Sequence, residues 1–219
     1  MCNGENRHNP EFISTLLKIL NEVEEDETVS SLIIVSNDKK NWSLGIDLEW
    51  LSVAIHEQNF RSVKEFMYGL NKLFERMLTY PLPIIAAMNG HVTGNGIVMA
   101  SACDYRFMKS DRGFFSFPEI DTSTQLLPGT IAIMKKAMPY HCLEEIILRG
   151  KRFVADELEA LHIIQKACKN EKELITETLT LGKSFKKKRT VVGALKQRLH
   201  KNIIEIMINV DPEFIESLH

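Results

Sequence analysis

Pro83-Ile84-Ile85-Ala86-Ala87-Met88-Asn89-Gly90-His91-Val92-Thr93-Gly94-Asn95-Gly96 is the stretch that decides the fold. Its first half is a short apolar run after a proline, the pattern of a strand buried on both faces. Its second half is a glycine-bearing turn, and small residues continue it as a helix through Ile97 to Ala102. Tyr105-Arg106-Phe107-Met108 then reads as another strand. Upstream, Ser31-Leu32-Ile33-Ile34-Val35-Ser36 repeats the buried-strand pattern. It is followed by the polar turn Asn37-Asp38-Lys39-Lys40-Asn41 and by the segment Trp42-Ser43-Leu44-Gly45-Ile46-Asp47-Leu48. Strand–turn–helix units in series predict an α/β core.

Helices flank this centre. Asn9-Pro10 supplies a capping residue and a proline at a position where its missing N–H costs nothing. Phe12, Ile13, Leu16, Leu17, Leu20 and Val23 follow at helical spacing to about Glu25. The acidic run Glu22 to Glu27 closes that helix at the end its dipole disfavours, as a solvated turn. Phe60, Val63, Phe66, Met67, Leu70, Leu73, Phe74 and Met77 predict one long amphipathic helix from about His56 to Tyr80, stopped by Pro81 and Pro83. From about Pro128 the pattern is nearly all helical. Ala155-Asp156-Glu157-Leu158 reads as a helix start, and Thr190 to Met207 as a long basic amphipathic stretch. The sequence has no internal repeat. One soft boundary near residues 168–172 separates a core of residues 1–168 from a C-terminal helical region of residues 169–219.

Composition narrows the function. The chain has 219 residues, 44% hydrophobic and 26% charged, with a net charge of -2, so neither nucleic acid nor a membrane surface is an expected partner. No apolar run approaches the roughly 20 residues of a membrane span. The N-terminus lacks an apolar signal core, and Ser217-Leu218-His219 is not the usual peroxisomal address, so a cytoplasmic protein is expected. The four cysteines are far apart in sequence and the seven histidines scattered, which predicts reduced thiols and no metal site.

The two glycine turns, Ser43 to Leu48 and Gly90 to Gly96, each lead from a buried strand toward a helix. Glycine permits positive φ and close approach to a ligand. The first turn of a helix leaves N–H groups unpaired and aimed at an anion. Two such turns facing one another form a two-donor oxyanion hole. In Phe117-Pro118-Glu119-Ile120-Asp121, a glutamate among apolar residues is expected to be partly desolvated, which raises a carboxyl group toward useful acid–base range.

Together these motifs resemble the crotonase (enoyl-CoA hydratase/isomerase) family. Asn89 to Gly96, followed by Cys103-Asp104-Tyr105-Arg106, is similar to the family signature. Ser43-Leu44-Gly45-Ile46-Asp47-Leu48 resembles the other oxyanion turn, and Arg112-Gly113-Phe114-Phe115-Ser116-Phe117-Pro118-Glu119-Ile120-Asp121 the catalytic strand-to-loop segment. The likeness runs from Glu5-Asn6-Arg7-His8-Asn9-Pro10 into the C-terminal helices. It implies an α/β spiral of strand–strand–helix units with a C-terminal helical extension. It also implies that the backbone N–H groups of Ile46 and Asn95 hold a thioester oxygen, that Glu119 is the acid–base, and that Ser43, Gly45, Asp47, Leu48, Gly94 and Leu127 contact substrate. Asn95 stands where the family usually has glycine.

The resemblance points to one chemistry above others. Val98 occupies the place of the second glutamate that hydration uses, and an alkyl group can neither activate water nor donate a proton. The family's Δ3,Δ2-enoyl-CoA isomerases often work with one glutamate. Leu127 stands where dienoyl-CoA isomerases carry an aspartate, while Asp121 reads as a helper or a structural residue. A hydratase, another thioester-enolate chemistry, and a non-catalytic acyl-CoA-binding or interaction module stand as other readings. In support of the last, the family's opening strands are expected to be missing, Thr122 to Leu127 is unusually polar, and Leu161-His162-Ile163-Ile164 replaces a turn that commonly holds glycine. Expected partners are an acyl-CoA substrate and copies of the chain in a homotrimer or hexamer. No metal or redox cofactor is expected. His91 reads as structural, and Trp42 as either pocket wall or packing. Lys183, Lys186, Lys187, Lys188, Arg189, Lys196, Arg198 and Lys201 form a solvated helix face or, more sharply, supply lysines to coenzyme A phosphates.

Overall fold

The structure is a computed structural model that describes residue 1, residues 4–118 and residues 126–218. Every ladder within its sheets is parallel. Strands β2 (Leu32–Val35), β5 (Ile84–Met88), β7 (Tyr105–Lys109) and β9 (Lys166–Cys168) form a four-stranded sheet in the order β2-β5-β7-β9. A second sheet takes β3 (Asn41–Ser43), β6 (His91–Thr93) and β8 (Phe115–Ser116) in the order β3-β6-β8. β1 (Arg7–His8) pairs with β4 (Gly45–Ile46). Leu32 faces Ile84 and Ile85 faces Tyr105, so β5 runs through the middle of the larger sheet, and all five of its residues are buried. Burial on both faces explains why it reads Ile-Ile-Ala-Ala-Met rather than alternating with polar residues.

Connectivity repeats where the sequence does not. Three times a strand of the larger sheet is followed by a strand of the smaller one, as β2–β3, β5–β6 and β7–β8. Each pair then leads into helix: α2 (Leu48–His56) and α3 (Phe60–Thr79), α4 (Asn95–Ala102), and α5 (Pro128–Ala137). Successive turns of the spiral stack their strands in the same two sheets, so equivalent turns fall side by side. The helices α6 (Tyr140–Arg149), α7 (Ala155–Ala160), α8 (Glu171–Ser184), α9 (Arg189–Leu199), α10 (Lys201–Asn209) and α11 (Asp211–Glu216) complete the described chain.

α1 (Pro10–Glu25) forms as expected, with Asn9 Oδ1 accepting the Phe12 N–H at 3.0 Å. Its acidic end is not merely a solvated turn. Arg189, from far along the chain, donates to the carbonyls of Glu24, Asp26 and Val29, and Arg76 meets the Glu24 carboxylate. A distant guanidinium thus supplies the positive charge that a helix C-terminus favours. The long helix expected from about His56 to Tyr80 forms as one helix, α3, with its start at Phe60 rather than His56. α2 ends at His56, Gln58 takes φ 55°, and Asn59 caps α3 by accepting the Ser62 N–H at 3.2 Å. The apolar period alone does not mark that start, because the cap residue is polar on either reading. α3 then buries Val63, Phe66, Leu70, Leu73, Phe74, Met77 and Leu78. At about 1.5–3 kcal/mol for each fully buried large side chain, this face anchors the core.

The glycine-bearing turn of the decisive stretch contains a short strand, β6, that its turn-rich composition hid. The basic stretch from Thr190 divides at His200 into α9 and α10. After α7, His162 takes φ 57°. The turn demands the left-handed conformation that glycine adopts most easily, and histidine is among the side chains that tolerate it.

Candidate active site

The two glycine turns meet. Gly45 takes φ 78°, and a Cβ placed on it would fall 2.7 Å from the backbone nitrogen of Asn95 and 2.8 Å from the carbonyl oxygen of Thr93. No side chain could yield to make room, since both neighbours are backbone. Gly94, at the N-cap of α4, takes φ 53° and donates its N–H to Ser116 O at 3.1 Å. That turns the chain so that Asn95 opens α4 beside β4. The first N–H groups of a helix have no partner within it. Those of α4 therefore begin where the Gly45–Ile46 strand passes.

The first turn is held by its own side chains. Ser43 Oγ donates to Asn6 O at 2.8 Å and accepts the Gly45 N–H at 3.2 Å. The backbone N–H groups of Leu44 and Asp47 donate to Glu5 O and His8 O. Asp47 is a helix cap: its Oδ1 accepts the Trp50 N–H at 3.1 Å and its Oδ2 accepts from Asn9 Nδ2 at 3.1 Å. Leu48, the first residue of α2, is exposed, and Ile46 is half-buried. Leu127, the N-cap residue of α5, is half-buried as well. Glu119 and Asp121 lie outside the described residues.

His8 was assigned no role from sequence, yet it links the two turns. Its Nε2 lies 3.0 Å from Ser43 Oγ and its Nδ1 lies 3.0 Å from Asn95 Nδ2. The ring is fully buried and stacks on Phe12 at 4.6 Å between centroids. Burial pushes its pKa down to about 3, so the imidazole is neutral. Its partners are 35 and 87 positions away, and nothing local in Asn6-Arg7-His8-Asn9 signals them.

At the far end of α4 three cations converge. Arg106 donates through Nη1 to Ala100 O and Cys103 O, and through Nε to Ile163 O. Lys136 Nζ donates to Ser101 O at 2.9 Å and Cys103 O at 2.8 Å. Lys196 Nζ reaches Met77 O and, at 2.7 Å, Asp104 Oδ2. Burial, opposed in part by Asp104, pushes the Lys136 pKa down to about 8. Lys196 is therefore buried inside the fold, and half-buried Arg189 is tied to the end of α1, which corrects their place on a solvated basic face. Lys183, Lys186, Lys187, Lys188, Arg198 and Lys201 are exposed as expected.

Trp42 resolves to packing: it is fully buried and its Nε1 donates to Ile34 O at 3.2 Å. Val98 is fully buried within α4. His91 sits with its ring 4.2 Å from that of Phe114, its Nδ1 without a hydrogen-bond partner among the described residues. A cavity of about 470 Å³ lies among α1, α2 and α3, lined by Trp50, Ala54 and Phe66 among others, and another of about 710 Å³ follows β2 and α1 to Asp47. Cys103, Cys142 and Cys168 are free buried thiols. Among the described residues no group of histidine, cysteine or acidic side chains is arranged to hold a metal ion, and no helix is long and apolar enough to cross a membrane.

The chain is similar to known proteins over most of its length. Enoyl-CoA delta isomerase 3 of Arabidopsis thaliana is 29% identical over 208 residues, covering 93% of this chain and 87% of that protein. The peroxisomal enoyl-CoA delta isomerase 2 of the same plant is 26% identical over 210 residues, covering 93% and 88%. An enoyl-CoA hydratase/isomerase family protein from Pseudomonas syringae has a TM-score of 0.89 at 17% identity, over 100% of this chain and 92% of that one, a likeness of fold. The enoyl-CoA hydratase/isomerase family model matches residues 3–209, and the chain belongs to that family, with the crotonase fold.

Proposed function

We propose that this protein moves a double bond of a fatty enoyl-CoA from the Δ3 to the Δ2 position, with Glu119 as its acid–base. The Glu119 carboxylate takes a proton from the alpha carbon, and the electron pair passes into a dienolate whose negative charge rests on the thioester oxygen. The same proton returns to the gamma carbon, leaving the double bond conjugated with the thioester. No redox change occurs, and no metal or other cofactor is called for. The backbone N–H groups of Ile46 and Asn95 receive the developing charge. Donors of this type contribute about 3–4 kcal/mol each.

The observation that carries this reading is the meeting of the Gly45–Ile46 strand with the first residue of α4. Val98, alkyl and fully buried one turn further along α4, favours single-acid chemistry over hydration. The exposed start of α2 at Leu48, with Ser43, Gly45 and Asp47 behind it, is the surface assigned to the adenine end of coenzyme A. Gly94 and Leu127 are assigned to the acyl thioester. The reading includes a homotrimer or hexamer assembled through the C-terminal helices, where Val191, Leu195, Leu199 and Ile208 are exposed. It also includes a reducing, cytoplasmic setting, which suits the buried thiols.

The test is turnover of a 3-enoyl-CoA to the 2-enoyl-CoA by the wild type and by folded Glu119→Gln. The expected loss is roughly a thousandfold. Formation of a 3-hydroxyacyl-CoA from the 2-enoyl-CoA would instead make the protein a hydratase. Thioester binding without turnover in either form would make it a binding module.

A further inference from the structure

We infer that His8 is a positioning residue for the two backbone donors, holding the Ser43 turn and the Asn95 turn at a fixed separation. The inference rests on the thioester-enolate reading above and deepens it. The donor order that satisfies every atom is unique for a neutral ring. Asn95 Nδ2–H donates to His8 Nδ1, His8 Nε2–H donates to Ser43 Oγ, and Ser43 Oγ–H donates to Asn6 O. The Gly45 N–H fills the remaining acceptor position of Ser43 Oγ. The chain thus runs from the first residue of α4, through β1, to the strand that carries Ile46.

Each member is buried, so none can exchange its partner for bulk water. His8 is itself clamped, with Phe12 stacked on its face and its backbone carbonyl accepting the Asp47 N–H at 2.9 Å. The same residue therefore grips the first turn by main chain and side chain and the second by side chain. Asn95 presents its backbone N–H at the helix start while its amide is drawn to His8. A donor pair loses its grip on an oxyanion once displaced by a fraction of an ångström to an ångström, since hydrogen bonds weaken steeply with length and angle.

The experiment reads donor geometry directly. Isotope-labelled crotonyl-CoA is bound to the wild type, to His8→Leu and to Ser43→Ala, and the thioester carbonyl stretch is followed by difference infrared spectroscopy. In parallel, kcat and KM are measured for a 3-enoyl-CoA, and thermal unfolding verifies the fold of each variant. The wild type is expected to lower the carbonyl frequency, and His8→Leu to lose half or more of that shift. Its kcat should fall about tenfold to hundredfold while KM changes less than about threefold, because the interaction is strongest in the transition state. Asn95→Gly should cost less in the His8→Leu background than in the wild type, since the pair acts as a unit. If His8→Leu does not fold, Ser43→Ala cuts the same chain at its other end and must show an intermediate loss. A full shift and full kcat in folded His8→Leu, or a full shift in Ser43→Ala, overturns the inference alone. Bound thioester with no shift in the wild type overturns the two-donor reading itself, and the inference with it.

Discussion

The two ends of α4 are treated in opposite ways. At its C-terminus the carbonyls of Ala100, Ser101 and Cys103 receive hydrogen bonds from Arg106 and Lys136, with Lys196 beside them on Asp104. At its N-terminus the hydrogen-bonded side chains, Asn95, His8 and Ser43, are all neutral. A helix carries about half a positive charge at its start and half a negative charge at its end. Cations cancel the negative end, and among the described residues the side chains hydrogen-bonded at the positive end carry no charge. The lesson is that one eight-residue helix has its negative end cancelled by cations and its positive end held by neutral groups, as the proposed oxyanion site requires.

If that division holds, substitutions at the two ends should separate stability from turnover. The largest stability effect is expected from Arg106→Leu, which removes the Arg106 donor from the buried carbonyls of Ala100 and Ile163 and leaves Cys103 O with Lys136 alone. A loss of about 3–5 kcal/mol in denaturant titration is expected, with kcat of the remaining folded protein changed by less than about tenfold. Equal damage to kcat and stability would erase the contrast. Gly45→Ala acts at the other end. Its Cβ cannot fit against the backbone of Thr93 and Asn95, and φ 78° is unfavourable for alanine. Turnover of a 3-enoyl-CoA should fall about a hundredfold or more as one donor turn is pushed from the other. Stability should fall by about 2–3 kcal/mol. Wild-type kcat in Gly45→Ala would break the comparison at its functional end.

The third effect is a pH dependence. His8 is held neutral in the fold, with its pKa down at about 3 against 6.5 when unfolded. Its contribution is therefore complete above pH 6.5 and is lost as pH falls toward 3, because the unfolded chain takes up the proton first. His200, lowered to about 4 chiefly by burial, acts in the same direction. For His8 alone the loss is roughly 2 kcal/mol between pH 8 and pH 5. Denaturant titrations at the two pH values on the wild type and His8→Leu should show a smaller drop in the variant. Identical drops would remove His8 from the neutral end of the comparison.

Legibility from sequence followed the range of the interactions. β2, β5, β7, α1 and α4 were readable because runs of buried residues and local caps write themselves into consecutive positions. The start of α3 at Phe60 rather than His56 is not legible, because an asparagine cap beside an amphipathic pattern looks like any polar position. Lys196 and Arg189 look like part of a charged face because a lysine buried against Met77 and an arginine capping Glu24 leave no trace near their own positions. Of the candidate site, both glycine turns are legible by motif, and the histidine between them is not.

The sequence by itself determined the order of strands, turns and helices, the two glycine turns and the single glutamate candidate, because strand burial, glycine and capping act over a few residues. Only the tertiary structure decided that Gly45 closes on Asn95, that His8 joins Ser43 to Asn95, and that three cations gather behind α4. Those contacts join positions tens of residues apart. Their energies depend on burial and on distances that exist only after the spiral has stacked its turns.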